Sequence, residues 1–209
     1  MNVDFDTLDR LVKTRRSVRS FEDRAVPEAL LEQVLEAARW APSAGNRQQL
    51  RLLVVTSRQV IDDMAEAVGR VVRGLREAGR QDVQDTLDAY LDNFTFFRHA
   101  PCLIVPIYRV GPDLLAASAP GAQTARRAPE VDTLSSAAAA VMVLLLAAHG
   151  LGLGGCWMTG PLVAADRLRD VLEVPVGWGM AAVVPLGFPK DVSEPPGRRA
   201  LSRLVRRIS

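Results

Sequence analysis

The sequence of 209 residues is long enough for one domain with a core of its own. It is 48% hydrophobic and 24% charged, which is close to an average globular protein and excludes a disordered chain. The net charge of +2 is smaller than expected for a nucleic-acid-binding protein. The charge is unevenly placed, because the last twelve residues hold five arginines and no acid, which leaves −3 on the preceding 197.

The scarce residue types exclude several classes of site. Two cysteines and two histidines are too few for a disulfide framework or a His/Cys metal site. The N-terminus lacks the basic start and apolar run of a secretory signal. The longest apolar run, residues 137–148, is shorter than the ~18 residues that indicate a membrane span. We expect a cytoplasmic protein with no metal site and no nucleic-acid or membrane partner.

Hydrophobic periodicity and helix-end signals predict an α+β fold that is rich in helices. The first predicted elements are a helix from Pro27 to about Trp40 that Pro42 stops, a strand over Leu50–Thr56 and a helix capped by Ser57. They are followed by a helix through Leu87, Tyr90, Leu91 and Phe94 and by a strand over Cys102–Tyr108. A central helix over Ser135–His149, capped by Asp132 or Thr133 and ended by Gly150, then precedes a helix over Leu162–Leu172 and a strand over Met180–Phe188.

Three local features add detail to these predicted elements. Pro106 has no amide hydrogen, so we expect its strand to lie at a sheet edge or to contain a bulge. Residues 111–130 lack periodicity and are predicted to form a long lid or flexible loop. Residues 198–209 form a C-terminal arm with apolar residues at helical spacing, which predicts an amphipathic helix on a partner surface. No linker divides the chain, so residues 1–209 are predicted to be a single domain.

The first candidate site is the basic segment 15–19. Three arginines and Ser17 lie within these five residues. Guanidinium groups match phosphate oxygens in pairs. If the segment is extended, Arg15, Ser17 and Arg19 point the same way because side chains alternate. The segment then offers a phosphate dianion two charges and a hydroxyl; an ordinary solvated turn is the alternative.

Two loops are further candidates. Residues 41–48 combine small residues and amides after a helix stop, which suits hydrogen bonding to a flat heteroaromatic ring or an ordinary turn. Residues 150–155 include four glycines, which let a backbone approach a ligand closely or simply end a helix. Their spacing is not that of a dinucleotide fingerprint, and they follow a helix instead of a strand.

No side chain is an evident catalytic acid, base or nucleophile. Cys102 lies in an apolar strand, and Cys156 is more typical of packing than of nucleophilic catalysis. His149 closes an apolar helix, and His99 has no partner that the sequence identifies. A site without an acid, a base or a metal needs a cofactor for its chemistry.

Four segments occur in one order: RRSVRSF at 15–21, AARWAPSAGNRQ at 37–48, LGLGGCWMTG at 151–160 and PLGFP at 185–189. Together they resemble the nitroreductase-like flavoenzymes, and the resemblance spans residues 8–205. It implies an α+β sandwich with a central, mostly antiparallel sheet flanked by helices. It also implies an intertwined homodimer with FMN at the subunit interface.

The resemblance further implies which residues bind FMN. The phosphate and ribityl oxygens are assigned to Arg15, Arg16, Ser17, Arg19, Arg198 and Arg199. The contacts from the other subunit are assigned to Pro42, Ser43, Ala44, Asn46 and Gln48. The backbone beside the flavin N5 is assigned to Gly154 and Gly155.

The implied activity is that of an FMN-dependent NAD(P)H oxidoreductase. A hydride passes through flavin N5 to an electron-poor acceptor, a nitroaromatic or a quinone, with ping-pong kinetics. Two alternatives remain open: a flavin-binding, sequestering or regulatory protein without efficient turnover, and a specialised member such as a dimethylbenzimidazole-synthase-like enzyme. Gln49 and Leu50 stand where the family often has Pro-Trp, which leaves the loop exit in question. Ser17 stands where we expect the synthase to carry Asp.

Overall fold

A computed structural model describes residues 4–79, 81, 84–85, 92–109, 129–192, 194 and 196–208. They include an antiparallel sheet of five strands: β1 (Leu50–Val55), β2 (Cys102–Arg109), β3 (Gly154–Gly155), β4 (Trp178–Met180) and β5 (Val184–Gly187). Strand β2 is central, with β1 on one side and β4 and β5 in succession on the other. Strand β3 lies beyond β5. The predicted α+β fold with an antiparallel sheet is confirmed.

Helices cover both faces of this sheet. The helices with bounds among the described residues are α1 (Phe5–Thr14), α2 (Glu28–Arg39), α3 (Arg58–Ala78), α4 (Pro129–Gly150) and α5 (Ala165–Val171). Short 3₁₀ turns lie at Ala44–Asn46, Phe96–His99, Gly160–Ala164 and Leu201–Arg203. Because side chains alternate along β2, Ile104 packs with α2 and α4, whereas Leu103 and Val105 pack with α3. Two large apolar cores result, and both faces of the central strand β2 are buried from Cys102 to Tyr108.

Several predicted helix ends are confirmed. Helix α2 ends at Arg39 with Trp40 as its C-cap, just before Pro42. Ser57 caps α3 and accepts a hydrogen bond from the Val60 amide at 3.4 Å. Helix α1 was not predicted. Its signal is Asp4, whose carboxylate accepts from the Asp6 amide at 3.2 Å and so satisfies a free helix donor.

Pro106 lies in the central strand, so the expected edge position is wrong. The alternative of a bulge is right. Between the pairs Ile104–Val184 and Ile107–Met180, β2 has two residues and the opposite chain has three, residues 181–183. The Pro106 carbonyl still accepts from the Ala181 amide at 2.9 Å. The missing donor of Pro106 is thus accommodated where the neighbour is bulged, which also splits the predicted strand 180–188 into β4 and β5.

Helix α4 begins at Pro129, earlier than either predicted cap at Asp132 or Thr133. It ends at Gly150, as predicted, but its capping glycine lies two residues further on. The Leu153 amide donates to the Ala148 carbonyl at 2.8 Å and the Gly152 amide donates to His149 at 3.1 Å, while Gly152 has φ +76°. This is a Schellman cap with Gly152 in the left-handed position just outside the helix, so Gly152 supplies the cap after the last helical residue, Gly150.

Helix α4 also has the length and hydropathy of a membrane span over Val131–Gly150, with 39% of that stretch buried. Its fully buried residues Val141, Leu144 and Ala148 pack against the sheet in the second core. In this structure it is the central helix of the domain.

Two predictions concern the ends of the described ranges. Residues 87, 90 and 91 of the predicted third helix and most of the predicted lid, 111–128, lie outside the described residues; residues 129–130 open α4. The C-terminal arm contains one 3₁₀ turn, Leu201–Arg203, so the expected amphipathic α-helix is wrong. Its apolar side chains are nonetheless exposed, with Ile208 at 87%.

Candidate functional site

The basic segment after α1 runs along the edge of the sheet. Arg15 leaves the helix with φ −57° and ψ 130°. Ser17 forms a parallel bridge with Gly155, and the Val18 amide donates to the Gly155 carbonyl at 3.0 Å. The segment is therefore extended at Ser17 and Val18, one of the two conformations that the sequence left open, and it is anchored on β3.

The glycines of β3 are required by close packing within the chain. A Cβ on Gly154 would lie 2.5 Å from Val18 Cγ2. A Cβ on Gly155 would lie 2.9 Å from Leu145 Cδ2 and 3.0 Å from the Pro185 carbonyl oxygen. Neither position has room for a side chain. The glycine-rich turn is thus explained by a helix cap and two packing contacts, without a ligand.

A cavity of about 180 Å³ opens where this segment meets α4 and β3. It is lined by Thr14, Arg15, Arg16, Val18, Leu145, His149, Gly152, Leu153, Gly154, Gly155, Pro189 and Val192. Arg16 is held by a bond from Nη1 to the Arg15 carbonyl at 2.8 Å. None of these lining residues is acidic, so the cavity has the charge and donors to bind an anion. We call it the basic cavity.

His149 belongs to the basic cavity, which sequence analysis missed. Its Nε2 lies 2.8 Å from Thr14 Oγ1. Burial of the ring, together with the guanidinium groups of Arg15 and Arg16, lowers the pKa of His149 below its usual 6.5. The signal in the sequence was weak, since one histidine at the end of an apolar helix is also typical of a helix cap.

The amide loop 42–48 forms a second structured region. Gly45, Asn46 and Gln48 have φ of +59°, +51° and +50°. This left-handed backbone suits glycine and is tolerated by asparagine. The Ala44 amide donates to Ser136 Oγ on α4 at 3.1 Å, and the Gln48 amide to Ser43 Oγ at 3.0 Å. The loop is held in a defined shape by two hydroxyl acceptors.

A cavity of about 340 Å³ lies beside this loop. It is lined by Leu35, Ala38, Arg39, Ala41, Pro42, Ser43, Ala44, Arg47, Gln48, Gln49, Leu50, Leu52, Thr133, Ser136 and Ala140. Gln49 Oε1 is buried and lacks a hydrogen-bond partner among the described residues. We call it the loop cavity; its lining combines apolar side chains with polar ones such as Ser43, Gln48 and Ser136, which suits a ring with hydrogen-bonding edges.

The two cavities share no lining residue. On α4 the loop cavity extends to Ala140 and the basic cavity begins at Leu145, five residues or about 7.5 Å further along the helix axis. Among the described residues of one protomer, segment 15–19 and loop 42–48 therefore line two separate cavities.

The nitroreductase family model matches residues 12–188, with the basic segment, both loops and β5 inside this range. The chain belongs to the nitroreductase family. It is 32% identical to a protein named NADH dehydrogenase from Thermus thermophilus, over 91% of each chain.

Solved structures agree on the fold. A BluB-like flavoprotein from Clostridium difficile superposes with a TM-score of 0.85 over 100% of both chains at 24% identity. Iodotyrosine deiodinase, solved with FMN and 3-iodo-L-tyrosine bound, has a TM-score of 0.74 at 25% identity over 97% of this chain and 99% of its own. Both neighbours are matched over nearly their whole length, so this nitroreductase-family chain shares their fold over that length.

The remaining predicted arginines lie outside the basic cavity. Arg19 is exposed, donates from Nη1 to the Ser17 carbonyl at 3.3 Å and lies 5.9 Å from the ring centroid of Phe96. Arg198 and Arg199 are exposed in the arm, where Arg198 Nη1 donates to the Pro196 carbonyl at 3.2 Å. Within one protomer they do not line the basic cavity, and their contact with a phosphate stays a prediction.

Both cysteines are buried. Burial, with the carboxylate of Glu28 adding to it, raises the pKa of Cys102 to about 12. Burial also raises the pKa of Cys156. The positive charges of Arg19 and Arg15 and a hydrogen bond with Ser17 act in the opposite direction but do not cancel this rise. A thiol reacts as its thiolate, so neither cysteine has the character of a nucleophile.

Proposed function

We propose that the protein is an FMN-dependent oxidoreductase that takes electrons from NAD(P)H and reduces an electron-poor acceptor, a nitroaromatic or a quinone, in the cytoplasm. When bound, FMN would supply the two-electron redox chemistry that links NAD(P)H to the acceptor. The observation that carries this proposal is the basic cavity, where Arg15 and Arg16 meet the glycine edge Gly154–Gly155 in a chain of the nitroreductase family.

The donor set of the basic cavity fits the phosphate end of FMN. A phosphate dianion needs charge-assisted donors, and two guanidinium groups line a cavity without an acidic lining residue. Each hydrogen bond to a charged group contributes about 1.5–3 kcal/mol, and micromolar affinity requires about 8 kcal/mol. Two arginines therefore account for a substantial share, and we assign the rest to ring contacts and to further cationic groups.

We assign the remaining part of the flavin site to a second copy of the chain, because two helices expose apolar side chains. Helix α1 has no buried residue, and Phe5, Leu8 and Val12 are exposed on it. Helix α4 also exposes apolar side chains, among them Leu134 and Met142. Exposed apolar residues on neighbouring helices are typical of an interface. We propose a homodimer, in which loop 42–48 of the second copy reaches the flavin held in the basic cavity of the first.

The visible spectrum of the purified protein tests this proposal. A yellow protein that bleaches within seconds when NADPH or NADH is added without oxygen supports the oxidoreductase. A yellow protein that resists both nicotinamides supports a flavin-binding protein without efficient turnover. A colourless protein that cannot be reconstituted with FMN contradicts both functions.

A further inference from the structure

His149 occupies a fixed position in the wall of the basic cavity. Its Nε2 lies 2.8 Å from Thr14 Oγ1, and the same hydroxyl donates to the Arg10 carbonyl at 2.8 Å. A threonine hydroxyl has one hydrogen to donate, and that hydrogen is engaged with Arg10. Thr14 therefore accepts the second bond, so Nε2 of His149 must carry the hydrogen.

The other ring nitrogen, Nδ1, is consequently the one available to a ligand. It makes no hydrogen bond to any residue in the described part of the chain. In a neutral ring with hydrogen on Nε2, Nδ1 is a bare acceptor and cannot bond to a phosphate oxygen. Once protonated, Nδ1 becomes a charged donor of the kind that a dianion binds well.

The surroundings of His149 disfavour its charge while the cavity holds no anion. The charged and polar side chains that line the cavity with His149 are Thr14 at the end of α1 and Arg15 and Arg16 in the basic segment. After β5, Lys190 and Asp191 lie in the sequence between the lining residues Pro189 and Val192. Asp191 is engaged by Ser20, which donates to its carboxylate at 3.2 Å. Burial and the two arginines lower the pKa of His149, so the ring is mostly neutral near pH 7.

We propose that His149 is a third cationic ligand of the anion in the basic cavity, and that a proton from solvent is taken up on its Nδ1 when a phosphate dianion binds. The charge balance is simple: the dianion offsets Arg15 and Arg16, and the new imidazolium donates Nδ1–H to a phosphate oxygen. The inference rests on the proposed function only for its choice of FMN as the natural ligand.

Proton uptake makes affinity depend on pH in a defined direction. Binding raises the pKa of His149 above its value in the free cavity, so one proton is taken up between these two values. In that window the dissociation constant rises up to about tenfold per pH unit as pH increases, and it levels off above the upper value. The second ionisation of the phosphate, at about pH 6, lowers the dissociation constant as pH increases, which is opposite to the effect of His149. Measurements therefore belong at about pH 7 to 8.5, where the phosphate is already a dianion.

The test is FMN binding by the full-length chain freed of flavin, followed by fluorescence quenching and by calorimetry in buffers of different ionisation heat. The matched variant is His149→Gln, whose amide nitrogen can still donate to Thr14 but offers no titrating nitrogen. We expect the wild type to take up about one proton more per FMN than the variant. We also expect its FMN dissociation constant to rise more than threefold from pH 7 to 8.5. Riboflavin, which has no phosphate, serves as the control ligand and shows neither effect.

Equal proton uptake and equal pH slopes in the wild type and His149→Gln contradict the inference while leaving the proposed function intact. If His149→Gln does not fold, equal slopes for FMN and riboflavin in the wild type alone contradict it. If the wild type binds no FMN, the proposed function fails instead, and the same calorimetry with inorganic phosphate decides the role of His149.

Discussion

The fit between Gly154 and Val18 allows a substitution whose cost follows from the coordinates. In Gly154→Ala the new methyl group would lie 2.5 Å from Val18 Cγ2 and 2.8 Å from Val18 Cβ. Normal contact needs about 3.5 Å, so the basic segment must move by about 1 Å. Overpacking of this kind costs about 1–3 kcal/mol. A domain of this size loses about 2–4 °C of melting temperature per kcal/mol, so we expect a decrease of about 2–12 °C.

Two further glycines serve as matched controls in the same thermal melt. Gly74→Ala, with nothing within 4 Å of the added carbon in helix α3, should be neutral or stabilise by about 0.5–1 kcal/mol. Gly152→Ala also has open space but φ +76°, so it should destabilise by about 1–2 kcal/mol through the backbone alone. An unchanged melting temperature in Gly154→Ala, together with weaker FMN binding, would refute the packing explanation and favour close approach of a ligand.

The remaining predictions concern the interface and the thiols. Met142→Glu on the exposed side of α4 should convert the proposed dimer into monomer in sedimentation velocity, since it places a charge in an apolar contact. Val176→Glu, at a residue 98% exposed in a turn, is the control and should stay dimeric; dissociation of both or neither contradicts the interface. Cys102 and Cys156 should both resist alkylation at pH 8 in the folded protein and react after unfolding, because burial raises both pKa values. Rapid modification of the native protein argues against this environment.

Local signals in the sequence were sufficient where a residue acts on its own backbone. Ser57 caps α3 and Pro42 follows the end of α2, because hydroxyl capping and the missing proline amide act within one turn. Pro106 shows the limit of this reasoning. The residue cannot donate, but whether it lies at an edge or opposite a bulge depends on strands about 75 residues away.

The candidate site could be predicted only in part, because its local backbone follows from nearby residues whereas its contacts depend on distant ones. The sequence left segment 15–19 as either an extended segment or a solvated turn, and the bridge from Ser17 to Gly155 that selects the extended form depends on the fold. The sequence left the glycines open between a close ligand and a helix end, whereas contacts with Val18 and Pro185 account for Gly154 and Gly155. His149 could not be assigned from the sequence, because its partners Thr14 and Arg15 are more than 130 residues away along the chain.

The proposed role of the basic cavity is to bind the phosphate of FMN. The most direct test compares FMN and riboflavin affinities in the wild type, Arg15→Gln, Arg16→Gln and a surface control, Arg58→Gln, whose guanidinium pairs with Asp62 on α3. Loss of a charge-assisted bond of about 1.5–3 kcal/mol predicts FMN binding weaker by about 10- to 100-fold in the first two variants. Riboflavin affinity should stay the same in all four proteins. Equal loss for both ligands, or unchanged FMN affinity, would contradict the claim.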